Sequence, residues 1–165
     1  MIMENKQSNQ KRNYNNFIKI FQSNGIERKF EPGQILSSLD YIPEEVFIIK
    51  KGNARLISKI NGKLTSISKL AKGDSIGIAS ILNELSIEEV RASNELVVYS
   101  LKVQEFTKLY NENLDLKNYC DNNIWISEIL YLLKNFPKFF KKNLLTETNL
   151  LDQFYERSKL VSPEL

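Results

Sequence analysis

Four turn-forming pairs divide residues 27–102 into short runs and constrain the fold more than any other feature. They are Pro32-Gly33, Lys51-Gly52, Asn61-Gly62 and Gly73-Asp74. Such pairs favour turns because glycine accepts positive φ and proline presets the φ angle of a turn. Asn61-Gly62 separates two strand-like segments, residues 53–60 and 63–70, and suits the type I′ turn of a β-hairpin. Short strands between frequent turns predict an all-β sandwich or roll.

Two segments between these turns carry mainly apolar residues at successive positions rather than at alternate ones. They are Val46–Ile49 and Leu96–Leu101. A strand with one solvent-facing side alternates apolar and polar residues, whereas a strand covered on both faces does not. We therefore expect both segments to cross the core.

Helical patterns flank this β-rich region on both sides. Before it, Tyr14, Phe17, Ile18 and Phe21 follow the spacing of one helix face, and Asn24-Gly25 supplies a stop. After Lys102, helices are predicted around 106–110, over 114–136 and over 145–159, with Pro137 ending or kinking the second. These patterns divide the chain into a disordered tail (1–12), a main domain (13–134) and a helical extension (135–165) that leads into a further domain if the chain is a fragment.

Composition removes several classes of function. The chain has no histidine, so it lacks the usual general base and the commonest metal ligand, and we expect neither an enzyme nor a metal site. Its only cysteine, Cys120, cannot form a disulfide within the chain, which favours the cytoplasm. The net charge of +3 does not indicate a DNA partner, and the absence of a long apolar run predicts no membrane insertion.

Four strings occur in the order and spacing found in cyclic nucleotide-binding domains. They are residues 30–36 (FEPGQIL), 46–56 (VFIIKKGNARL), 61–63 (NGK) and 73–77 (GDSIG). The chain thus resembles the ligand domain of the catabolite activator protein family and of kinase regulatory subunits. This resemblance implies a mainly β fold, an eight-stranded jelly-roll β-barrel with a short helix before it and helices after it. It also implies a ligand cassette over residues 73–92.

The candidate pocket implied by the resemblance departs from the family pattern at two positions. Its residues are Gly73, Ile76, Gly77, Ile78, Ala79, Ser80, Ser86 and Arg91. Ile78 holds the place of the ribose-binding Glu, and Ser86 lies near the place of the phosphate-binding Arg. Loss of an Arg–phosphate contact costs roughly 1.5 to 3 kcal/mol. Glu88 and Glu89 would also repel an anion unless they point outward.

These departures predict a regulatory or sensor domain that does not bind cyclic AMP or cyclic GMP in the usual way. The alternative is a working sensor that binds a cyclic nucleotide through backbone groups and Arg91, and controls an attached effector such as a membrane transporter. Against it, Val90 and Ala92 should face inward, so Arg91 should face outward and pair with Glu88 or Glu89. Ser80 and Ser86 could contact a ligand or could cap backbone groups.

The apolar face of the helix over 114–136 predicts a homodimer, as the same helix forms in the resembled family. Its contact residues would be Tyr119, Ile126, Ile129 and Leu133. The alternative is that residues 145–159 fold back and cover this face. Residues 138–165 are too few for a winged helix-turn-helix, so DNA binding is not expected.

Overall fold

The computed structural model describes residues 2–60 and 62–135, and within them it has eight strands and five helices. In chain order these are α1 (Ile2–Asn24), β1 (Ile26–Phe30), β2 (Ile35–Ser37), β3 (Glu45–Lys51), β4 (Ala54–Ile60), β5 (Lys63–Leu70), β6 (Ser75–Ile76), α2 (Ile78–Leu82), β7 (Glu89–Ala92), β8 (Leu96–Lys102), α3 (Val103–Glu112), α4 (Leu114–Asp121) and α5 (Ile126–Asn135).

The strands form two antiparallel four-stranded sheets, in the orders β1-β8-β3-β6 and β2-β7-β4-β5. Strands β4 and β5 pair from Ala54 opposite Leu70 to Ile60 opposite Lys63, which confirms the predicted hairpin. The mainly β roll of eight strands is likewise confirmed. The sheets are not hydrogen-bonded into a closed barrel, because each keeps two edge strands of its own.

The buried apolar side chains form two clusters that share β3. We call the first the roll core: it holds Phe47 and Ile49 of β3, inner residues of both sheets, and Leu130 and Leu133 of α5. We call the second the helical core, and it consists of Phe17, Phe21, Val46, Ile48, Ile78, Leu101, Phe106, Leu116 and Cys120. Successive residues of a strand face opposite sides, so β3 contributes to both clusters, as its continuous apolar run predicted.

Helix α1 is longer than the apolar spacing indicated. It begins at Ile2, whereas the spacing predicted a start near Tyr14 and a disordered tail over residues 1–12. The apolar spacing identifies the turns of α1 that pack in the helical core through Phe17 and Phe21. Residues 2–12 include Gln, Lys and Arg, which are good helix formers, and the helix continues through them.

The single helix predicted over 114–136 is wrong, because the structure divides it into α4 and α5. The break covers residues 122–125, where two asparagines with low helix propensity follow each other. The Glu128 carboxylate, in the first turn of α5, accepts the Trp125 backbone N–H at 2.9 Å and so caps the start of a separate helix. Beyond Asn135, the predicted helical extension lies outside the described residues. No helix in the described part of the chain has the length and apolarity needed to span a membrane.

Candidate functional site

The candidate cassette begins at the turn before β6, which is braced by hydrogen bonds on both sides. The Asp74 carboxylate accepts the Ala71 N–H at 2.7 Å, and the Gly73 N–H donates to the Ile49 carbonyl at 2.8 Å. Gly73 has φ of +92°, and a Cβ there would lie 2.0 Å from the Tyr14 hydroxyl oxygen. Glycine is therefore favoured at 73 because other residues rarely adopt this positive φ, and the Tyr14 side chain of α1 lies directly against the turn.

The next candidate residues separate into the two cores. The Ile76 side chain is fully buried in the roll core, whereas the Ile78 side chain, 1% exposed, belongs to the helical core. The side chain at the family's ribose-binding position therefore packs with the helices rather than inside the roll. Ala79 and Ser80 are buried as well, so the short helix α2 presents little open surface.

The start of α2 holds a buried carboxyl group that belongs to the protein itself. Gly77, the N-cap of α2, has φ of +91°, and its backbone N–H donates to the Glu88 carboxylate. Glu88 is only 4% exposed. Backbone N–H groups at the start of a helix attract anions, and the resemblance implies that the cyclic phosphate would lie nearby. Glu88 thus brings a carboxyl group of the protein to the start of α2.

Glu88 therefore does not point outward to solvent, one of the two orientations that the sequence left open. Strand β7 alternates strictly, with Val90 and Ala92 buried and Glu89 and Arg91 partly exposed. Glu88 precedes Val90 by two residues and shares its inward face. This alternation is the signal in the sequence that could have identified Glu88.

Burial raises the pKa of Glu88 from 4.5 to about 7. The Gly77 N–H and the Ser127 hydroxyl lower that pKa, since both favour the charged form, while the nearby Glu128 carboxylate raises it. The Ser127 hydroxyl is itself buried, and it forms no well-aligned hydrogen bond with any described group. The site is therefore a buried carboxyl whose charge depends on pH near neutrality.

Helix α5 covers this site and is fastened to the cassette at its first turn. The Trp125 indole N–H donates to the Ser75 hydroxyl at 2.8 Å, and the Asn83 amide donates to the Glu128 carboxylate at 2.8 Å. Further along α5, Leu130 and Leu133 are buried in the roll core. The start of α5 is thus tied to β6 and α2, and its apolar face closes the roll.

Two of the remaining candidate residues, Ser80 and Arg91, have structural partners. The Ser80 hydroxyl accepts the Ile87 N–H at 3.2 Å, which is the backbone-capping role that the sequence left open for it. Arg91 donates two hydrogen bonds to Glu89, at 3.0 and 2.7 Å, on the outward face of β7. Ser86 is partly buried in the loop between α2 and β7. The structure therefore joins Gly77 to Glu88, and it directs Arg91 to Glu89 on the other face of β7.

The four residues predicted to form a dimer helix do not lie on one helix. Tyr119, on α4, stacks on the Phe17 ring with centroids 4.2 Å apart. Leu133 is buried in the roll core, and Ile126 and Ile129 pack against it. The four side chains are divided between the two cores, because the helix is interrupted between α4 and α5 at residues 122–125.

Comparison with known proteins identifies the domain type. The family model described as "Cyclic nucleotide-binding domain" matches residues 27–113. A search of curated proteins finds no match.

Among solved structures, the chain is similar to the catabolite activator protein of Thermus thermophilus, with 14% identity, a TM-score of 0.55, and coverage of 83% of this chain and 59% of that one. A CooA mutant from Carboxydothermus hydrogenoformans is 15% identical with a TM-score of 0.52, and the match covers 81% of this chain and 84% of that one. The regulatory domain of Toxoplasma gondii protein kinase A, crystallised with cyclic AMP, is 17% identical with a TM-score of 0.51, and the match covers 56% of this chain and 36% of that one. At these identities the likeness shows the fold alone. The chain spans well under two thirds of the kinase regulatory subunits that it matches, such as 40% of the one from Trypanosoma brucei.

Proposed function

Because this chain belongs to the cyclic nucleotide-binding domain family, we propose that it is a non-catalytic regulatory domain whose ligand pocket is filled by its own side chains. The observation that carries this proposal is the buried Glu88 carboxyl on the Gly77 N–H. In this view Glu88 replaces the cyclic phosphate, and the domain does not bind cyclic AMP or cyclic GMP in the usual way. A cytoplasmic location, predicted from the lone Cys120, belongs to the same proposal.

Glu88 opposes a cyclic nucleotide in two ways. Its carboxyl uses the Gly77 N–H that a phosphate oxygen would need. Once ionised, it also repels a phosphate: two like charges about 4 Å apart at an effective dielectric constant of about 20 repel by about 4 kcal/mol. Ser86 supplies no positive charge to offset that repulsion, so we expect very weak binding.

The second support for this proposal is the position of α5. Leu130 and Leu133 complete the roll core, and the Trp125–Ser75 and Asn83–Glu128 hydrogen bonds hold the start of α5 on the cassette. The arrangement is closed with Glu88 in place, so it needs no small molecule to complete it. We propose that the domain presents this closed form to an attached effector, such as a transporter or a kinase.

A homodimer is still a prediction, but its contact surface must change. Leu132 is the large apolar residue of α5 that stays 47% exposed, while Leu133 is buried. Light scattering during size-exclusion chromatography, compared with the 19.2 kDa mass of one chain, tests whether a dimer forms. Leu132→Asp should abolish a dimer that uses α5.

The alternative function, a working sensor that grips its ligand through Arg91, would require Arg91 to leave Glu89. That carboxylate accepts both hydrogen bonds that the guanidinium donates. Under this alternative Arg91→Ala abolishes binding of cyclic AMP, whereas under our proposal the wild type has no binding to lose.

Titration calorimetry with cyclic AMP and cyclic GMP tests the proposal. We expect the wild type to show a Kd weaker than about 1 mM for both nucleotides. The double variant Ser86→Arg with Glu88→Ala should gain binding by about tenfold or more, since it adds a phosphate partner and vacates the anion position. The matched control is Ser86→Arg with Glu95→Ala, which adds the same arginine and removes an exposed carboxylate between β7 and β8.

Two results would contradict the proposal. A wild-type Kd below about 10 μM for either nucleotide would show that the pocket works as a sensor. Equal gains in the double variant and in its control would show that Glu88 is not the group that blocks the phosphate.

A further inference from the structure

A groove between α1, β3 and the turn before β6 shares Gly73 with the candidate pocket but is not lined by Gly77 or Glu88. Its volume is about 730 Å³, and the residues that line it include Lys19, Lys50, Lys51 and Lys72, together with Tyr14 and Tyr99. We call it the basic groove. Four lysines thus come from three separate parts of the chain: α1, the end of β3 and the turn before β6.

The positive charge of the basic groove is only partly neutralised within the protein. Among the described residues that line it, none is acidic. Lys50 forms an ion pair with Glu27 and lies 5.4 Å from the centre of the Tyr99 ring. Lys19, Lys51 and Lys72 are exposed and form no ion pair with any described side chain. Three cations therefore face the groove without a carboxylate partner in the described part of the chain.

The fold holds these lysines close together without any ligand. Hydrogen bonds of 2.8 and 3.0 Å join Gly73 and Asp74 to both backbone groups of Ile49, which keeps Lys72 beside the end of β3. The Tyr14 hydroxyl lies against Gly73 and keeps α1 on the same side. The groove is thus preformed, and a partner would lose little conformational entropy in organising it.

The surface between the lysines is apolar as well as aromatic. Ile18 of α1 and Tyr99 of β8 are partly buried and line the groove, and more of its lining surface is apolar than polar. A concave surface of this kind does not fit a flat lipid bilayer, which binds protruding apolar faces. It fits a narrow chain that carries carboxylates and apolar side chains in alternation.

We propose that the basic groove docks an acidic segment of a partner protein, with apolar residues between its carboxylates. The carboxylates pair with Lys19, Lys51 and Lys72, and the apolar side chains cover Ile18 and Tyr99. This contact is independent of what fills the nucleotide pocket, so a result against the filled pocket does not count against the basic groove, or the reverse.

A fluorescently labelled peptide of 15 residues, in which three leucines stand at alternate positions between glutamates, is the probe for this proposal. Fluorescence anisotropy should show binding that weakens as salt rises, because salt screens exposed charge pairs. In the variant with Lys19→Glu, Lys51→Glu and Lys72→Glu, we expect the affinity for the peptide to fall by up to about tenfold. The matched control carries Lys59→Glu, Lys63→Glu and Lys108→Glu, which are exposed lysines outside the groove and change the net charge equally.

Loss of binding in the groove variant alone supports the proposal. Equal loss in both variants overturns it, because the attraction would then follow net charge and not the groove. Absence of peptide binding by the wild type also overturns it, as does binding of phosphatidylserine vesicles or of a single-stranded oligonucleotide in preference to the peptide. Circular dichroism of both variants checks that each is folded.

Discussion

The roll core and the helical core share β3 but differ in the chemistry of their boundaries. The helical core is closed by large aromatic side chains, including Phe17, Phe21 and Phe106, each at most 1% exposed. The roll core is closed by α5, and under that helix lies the ionisable Glu88 beside the Ser127 hydroxyl. A buried carboxyl is costly, whereas buried aromatics are not. We infer that the helical core supplies stability and that the α5 side of the roll carries the property that can be regulated.

The largest effect on stability is expected in the helical core, at Phe106. Its ring lies 6.3 Å from that of Phe21 and 6.2 Å from that of Tyr110. Phe106→Ala should lower the free energy of unfolding by about 3 to 5 kcal/mol, through lost burial and the cavity left behind. Urea denaturation measures this change.

Leu64→Ala is the control for the Phe106 variant, because the Leu64 side chain is 57% exposed. We expect that change to cost less than about 0.5 kcal/mol. Similar losses in the two variants would mean that the helical core does not dominate stability, and the contrast between the two cores would fail.

The next effect in size is a dependence of stability on pH that comes from Glu88. Burial raises the pKa of Glu88 from 4.5 to about 7, so the folded protein holds a proton that the unfolded chain releases at lower pH. The stabilising contribution is therefore fully present below about pH 4.5 and is lost as pH rises through about 7. Its full size is about 3 kcal/mol.

Glu88→Gln should remove this dependence, because the amide stays neutral and fills the same space. We expect the difference in unfolding free energy between Glu88→Gln and wild type to move in favour of the variant between about pH 5 and about pH 8. Glu89→Gln, on the outward face of β7, should keep the wild-type pH profile. A Glu88→Gln profile parallel to that of the wild type would show that the Glu88 carboxyl is not buried as the structure places it.

The sequence predicted those features of the fold that depend on neighbouring residues. Asn61-Gly62 specified a hairpin locally, and the unbroken apolar run of Val46–Ile49 specified a strand between two clusters. The same kind of reasoning placed Arg91 outward, as its hydrogen bonds to Glu89 confirm. Each of these inferences used turn chemistry or the period of a strand, which act over a few residues.

The features that the sequence did not predict depend on contacts between distant residues. The direction of α5 depends in part on Trp125 and Ser75, which are separated by 50 residues, and on the burial of Leu133 in the roll. Periodicity alone favoured one continuous helix because the apolar residues of α4 and α5 also fit a single face. Glu88 was the exception: the alternation of β7 is a local signal for an inward side chain, but the sequence was interpreted only as leaving Glu88 either repelling an anion or pointing outward, where it could pair with Arg91.

The smallest expected effect on stability is at Ser75. A change there tests the hydrogen bond that holds the start of α5, apart from the rest of the fold. Ser75→Ala removes the acceptor of the Trp125 indole N–H, and this should lower the free energy of unfolding by about 1 kcal/mol. Because α5 makes its contacts with the roll, the loosening should appear as faster amide exchange in α5 and not in α1. Trp125 is the only tryptophan of the chain, so its fluorescence should shift to longer wavelength as the indole becomes more hydrated.

Ser93→Ala, an exposed serine between β7 and β8, is the matched control and should leave the tryptophan emission unchanged. If Ser75→Ala speeds amide exchange equally in α1 and α5, the Trp125–Ser75 hydrogen bond supports the whole domain rather than α5 alone. The two cores would then unfold as one unit, and α5 could not open while the helical core stays intact. If the change is confined to α5, that helix can move on its own, and the pH dependence of Glu88 becomes a means of moving it.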